Sequence, residues 1–77
     1  MYWNKEEEKI SKEFTFKNFK EALNFVNQVG ELAEAMNHHP DILLHDYKKV
    51  TISLTSHDKG HVTDRDHQLA SKIDALV

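Results

Sequence analysis

The 77-residue chain contains no cysteine. Disulfides and thiolate metal sites are therefore both excluded, and the composition fits a reducing, intracellular setting. Proline occurs once, as Pro40, and glycine twice, as Gly30 and Gly60, so no Pro/Gly-rich linker divides the sequence. Apolar runs are short, and none approaches the roughly 18 residues needed to span a bilayer. The first eight residues lack the basic-then-apolar order of a signal peptide. Positive charge is not in excess either: the formal net charge is −3 with neutral histidines. The scattered lysines give no nucleic-acid footprint. These absences predict a single soluble cytoplasmic domain over residues 1–77, with neither a membrane nor a direct nucleic-acid partner. A domain this small buries a modest fraction of its surface. With disulfides excluded, a homodimer or homotetramer is the expected support.

The hydrophobic pattern predicts an α+β fold. Ile10, Phe14 and Phe16 share one parity, which suggests a strand over 10–16. Residues around Trp3 could pair with it as an edge strand, with Glu6, Glu7 and Glu8 as a solvated turn between them. Asn18 followed by Glu21 has capping-box spacing and opens a helix running to about residue 37. Its apolar residues sweep nearly half the circumference, whereas a helix with one partner needs about 100°. Two partners are implied, and Phe25 and Leu32, at one edge of the arc, are the candidates for a subunit interface. Two strands follow, at about 42–47 and 50–57. The second alternates cleanly, with Val50, Ile52 and Leu54 on one face and Thr51, Ser53, Thr55 and His57 on the other. After Gly60, Thr63 opens a final helix with a stripe of Leu69, Ala70, Ile73, Leu76 and Val77. A four-stranded antiparallel sheet with helices packed on one face accommodates this order.

Histidine is what the chain has in plenty: six among 77 residues. Imidazole is the side chain whose ordinary pKa lies nearest neutrality, so it can give and take protons at working pH. His38 and His39 stand together before Pro40, with Glu34 four residues ahead of His38. If the last helical turn holds, Glu34 and His38 share a face and the carboxylate would orient that imidazole. An ordinary exposed helix pair is the plainer reading. His57, between Ser56 and Asp58, matters only if folding brings it to the other two. Asp66 lies inside the last helix's apolar stripe, and Thr63-x-x-Asp66 is a capping box, so capping is favoured over direct catalysis. Adjacent histidines chelate poorly and no H-E-x-x-H is present, so no metal is expected, although His38, His57 and Glu34 could in principle hold zinc.

Glu34-x3-His38-His39-Pro40-x6-Tyr47-x9-His57-x8-Asp66 resembles the signature of the pterin-4a-carbinolamine dehydratases. Phe14-x-Phe16-Lys17-Asn18-Phe19 and Asp66-x-x-Leu69-Ala70 extend the similarity, which runs from about Trp3 to the C-terminus as a short form of the family. The resemblance implies dehydration of a 4a-hydroxytetrahydropterin to the quinonoid dihydropterin, without metal or redox cofactor. It implies His38 and His57 as the acid–base pair, His39 as the residue orienting the pterin, and Glu34 tuning His38. Asp66 would support the site, and Asn37, Ser56 and Asp58 would contact the pterin. One departure is His61, where the family usually has glycine after Gly60. The resemblance also admits a non-catalytic interaction module, a dimerisation cofactor for a transcription factor.

Overall fold

The structure, a computed structural model, describes residues 3–5, 8–55 and 61–77. The chain runs β1 (Asn4–Lys5), β2 (Ile10–Thr15), α1 (Phe19–Met36), β3 (Asp41–His45), β4 (Lys49–Leu54) and α2 (Asp64–Asp74). The strands form one antiparallel sheet in the order β1-β2-β4-β3. The α+β architecture predicted by the alternation is thus the one observed. The central pair, β2 with β4, runs in register from Ile10 opposite Leu54 to Thr15 opposite Lys49.

Strand parity decides where the core lies. Val50, Ile52 and Leu54 project from β4 and Ile10 and Phe14 from β2 into one cluster with Ala22, Phe25 and Val29 of α1. Leu69, Ala70 and Ile73 of α2 complete it. Ile52, Leu54, Leu69 and Ile73 are fully buried, and each contributes roughly 1.5–3 kcal/mol through lost apolar exposure. The alternate residues Glu13, Thr15 and Leu43 are exposed, and Thr51 and Ser53 half-buried, so the second sheet face stays polar and open. Trp3 ties the edge strand region to α2: its Nε1 donates to Asp74 at 3.1 Å, and Lys12 donates to the same carboxylate at 2.8 Å.

Both helix starts follow the sequence. Asn18 accepts the Glu21 amide through Oδ1 at 2.9 Å, and Thr63 with Asp66 forms the capping box of α2. Three expectations are corrected. Phe25 is buried at 2% exposure rather than presented for a subunit, because Phe14 and Phe16 both close on its ring at 4.8 Å between centroids. Leu32 also packs partly against the core. The exposed apolar edge of α1 is the opposite one, at Phe19 and Leu23. Val77 lies past the end of α2 and is exposed, so it does not extend the buried stripe. The β3–β4 connection sits at 46–48 rather than 48–49, with Asp46 and Tyr47 both in left-handed backbone geometry. Glu6 and Glu7, read as part of a turn, lie outside the described residues, as do residues 56–60.

Candidate functional site

The site begins where α1 stops. Asn37 has φ 51° and ψ 44°, a left-handed geometry that asparagine tolerates better than most residues. The His38 amide then donates back to Ala33 O at 3.0 Å and the Asn37 amide to Glu34 O at 3.2 Å. This is a Schellman ending with asparagine in place of the usual glycine. Pro40 disfavours helical geometry at His39, so the chain leaves extended and enters β3 at Asp41. The histidines therefore sit on the turn after the helix, not on its last face.

That shift changes their partners. His38 is buried and meets Asp66 of α2, with Nε2 2.5 Å from Oδ1. Glu34, expected to serve His38, pairs instead with Nε2 of His39. The i,i+4 argument fails because it holds only while the helix continues, and Asn37 ends it one residue too early. Asp66 is wholly buried and carries two duties. Its Oδ1 faces His38, and its Oδ2 accepts the Thr63 amide at 2.8 Å, capping α2. The capping favoured from the sequence is thus done by one oxygen of the carboxylate, and the other is left to meet His38.

A carboxylate only accepts, so Nε2 of His38 must be the donor. In the neutral ring this leaves the lone pair on Nδ1, available as a base; a charged ring would offer a proton there. The arrangement can therefore perform acid–base chemistry at one defined nitrogen. The His39–Glu34 pair repeats the chemistry in solvent, with side chains 58% and 78% exposed.

The remaining candidates divide. Asn37 is exposed beside the pair, and its role here is backbone geometry. Ser56, His57 and Asp58 lie outside the described residues. His67 is exposed on α2, whereas His45 accepts or donates at Thr51 Oγ1, 2.9 Å away on the open sheet face. Among the described residues no cluster of three or more histidine, aspartate or glutamate side chains is placed to hold a metal. A cavity of about 700 Å³ lies elsewhere, between β2, α1 and the C-terminus, lined by Phe14, Phe16, Phe25 and Leu76 among others. It touches none of Glu34, His38, His39 and Asp66. Arg65 was not singled out from the sequence, yet its guanidinium donates to Met36 O at 3.1 Å and Asn37 O at 2.9 Å. The available signal was a cation in a helix's first turn, where the dipole disfavours it.

Residues 1–76 match the family model described as pterin 4 alpha carbinolamine dehydratase. A Sulfurisphaera tokodaii protein with the provisional name pterin-4-alpha-carbinolamine dehydratase is 49% identical over 97% of this chain and 80% of its own length. A Picosynechococcus protein of the same provisional name is 51% identical over 96% of this chain and 79% of its own. Among solved structures, a transcriptional coactivator/pterin dehydratase from Brucella melitensis superposes with a TM-score of 0.89 at 34% identity, covering 96% of this chain and 80% of that one. A pterin dehydratase-like RuBisCO assembly factor of the alpha-carboxysome shares the fold, with a TM-score of 0.77 at 21% identity over 97% of this chain and 86% of its own.

Proposed function

This chain belongs to the pterin 4 alpha carbinolamine dehydratase family, and from that premise we propose that it is a hydro-lyase acting on 4a-hydroxytetrahydropterin. The product is the quinonoid dihydropterin, so the reaction recycles a pterin cofactor. The observation that carries this reading is the buried His38–Asp66 pair, an imidazole with one ring nitrogen fixed and the other left for proton transfer.

Loss of the 4a-hydroxyl needs a proton at the departing oxygen and removal of a proton from the ring nitrogen. The C–O bond breaks, water leaves, and the lone pair freed on nitrogen forms the new C=N bond. Two imidazoles in opposite protonation states supply both transfers, with no net change in the enzyme's protons once they re-equilibrate. His38 and His57 are the pair in this proposal. His39 orients the pterin, with Glu34 steadying His39. Asn37, Ser56 and Asp58 border the substrate.

We read the chain as one domain that works in the cytoplasm as a homodimer or homotetramer. No helix among the described residues is long and apolar enough to cross a membrane. The exposed Phe19 and Leu23 on α1 support self-association through that edge. Leu23→Asp should lower the sedimenting mass in analytical ultracentrifugation, and an unchanged mass would refute this interface. The second reading, a non-catalytic interaction module, draws on the Brucella protein's description as a coactivator. Binding a partner helix needs no buried imidazole–carboxylate pair, which favours the enzyme.

The deciding experiment is the dehydration assay. Wild-type protein should accelerate loss of the 4a-hydroxyl, and His38→Ala and His57→Ala should each remove most of that activity. A wild-type protein without any acceleration would sink the assignment.

A further inference from the structure

The backbone bonds of the Schellman turn satisfy the carbonyls of Ala33 and Glu34 but not those of Met36 and Asn37, the last helical residue and the left-handed one. One nitrogen of Arg65, Nη2, donates to both. These two carbonyls belong to the peptide planes on either side of the Asn37 Cα. The φ and ψ of Asn37 are the relative rotations of those planes. A single donor bound to both therefore holds Asn37 in its left-handed well, and that well sets where the next residue starts.

The placement of Arg65 is otherwise hard to justify. It stands in the first turn of α2, where positive charge opposes that helix's dipole and its neighbours Asp64 and Asp66 are the favoured kind. The last turn of α1 has no basic residue of its own. Arg65 thus provides from α2 the cation that α1 lacks. The adjacent residue on each side repeats the link: Asp66 of α2 meets His38. Arg65 with Asn37 and Asp66 with His38 make two consecutive rungs between the helices.

We propose that Arg65 is a positioning residue for His38, an inference that rests on the dehydratase reading above. It touches no reacting atom. It fixes the turn from which His38 reaches Asp66, and so the aim of the His38 nitrogen that moves the proton. Proton transfer depends steeply on that aim, and ground-state binding of the pterin, shared with groups beyond this turn, depends on it less.

The test compares Arg65→Ala and Arg65→Lys with wild type in the dehydration assay and by proton NMR of the low-field signal from the hydrogen shared by His38 and Asp66. Arg65→Ala should lower kcat roughly tenfold or more with a smaller change in KM, and should displace or broaden the shared-proton signal. Arg65→Lys, whose ammonium can bridge the same carbonyls, should restore most of both. A folded Arg65→Ala with wild-type kcat and an unmoved signal overturns the proposal, as does a raised KM at wild-type kcat. Should Arg65→Ala not fold, Arg65→Gln replaces it with the same criteria. Wild-type protein lacking dehydratase activity refutes the proposed function, yet the NMR comparison still decides whether Arg65 sets the His38–Asp66 geometry.

Discussion

His38 and His39 are sequence neighbours, and each meets a carboxylate through Nε2, but the two pairs occupy different surroundings. His38 and Asp66 are enclosed, with the carboxylate wholly buried, whereas His39 and Glu34 lie mostly in water. Enclosure strengthens the attraction between them and raises the penalty for leaving either partner alone. Exposure reduces an equivalent contact to at most about 1 kcal/mol, further screened by salt. The same two functional groups therefore act as a fixed structural element in one place and an adaptable one in the other. A turn that sends consecutive residues in opposite directions is enough to create the difference.

The sharpest way to break the contrast is Asp66→Ala. It removes the α2 cap and the His38 partner together, and should cost about 3 kcal/mol in urea unfolding, with loss of nearly all dehydratase activity. Unfolding within about 0.5 kcal/mol of wild type would mean that the buried pair contributes nothing distinctive. Asp66→Asn separates the two duties. Its amide oxygen can still accept the Thr63 amide, but its NH₂ would face His38 Nε2 and force the other tautomer. Stability should fall by about 1 kcal/mol while kcat drops roughly a hundredfold. Equal losses in the two Asp66 variants, measured by unfolding and assay, would contradict this separation. The smallest effect belongs to Glu34→Gln, expected within about 0.5 kcal/mol of wild type. In NMR titrations with salt, the His39 ring signals should move as ionic strength rises while those of His38 hold; matched movement would erase the distinction.

Much of the architecture was legible because it depends on local periodicity. Alternation at Val50, Ile52 and Leu54 identified a strand with one buried face, and Asn18 and Thr63 marked both helix starts. The contacts of the candidate residues were less legible than the fold. Glu34 was matched to His38 by helical spacing, although Asn37, the commonest non-glycine choice for a left-handed cap, already signalled that the helix ends first. Asp66 inside an apolar stripe was the readable sign of a buried partner, but which residue it faces depends on how α1 and α2 dock. The interface edge failed for a similar reason. An arc covering half a helix does not say which side is covered, and here the aromatic pair Phe14 and Phe16 claims Phe25 and leaves Phe19 and Leu23 outside.

The second rung between the helices has a consequence for synthesis of the chain. Asp66 belongs to α2, 28 residues after the histidine it holds. A nascent polypeptide that has already made α1 and its histidines still lacks the carboxylate that His38 meets. Early segments can begin to fold while translation continues, but the His38–Asp66 contact must wait for α2 to emerge and dock. Chains released prematurely, before α2, would carry His38 and His39 without the carboxylate that meets the first of them.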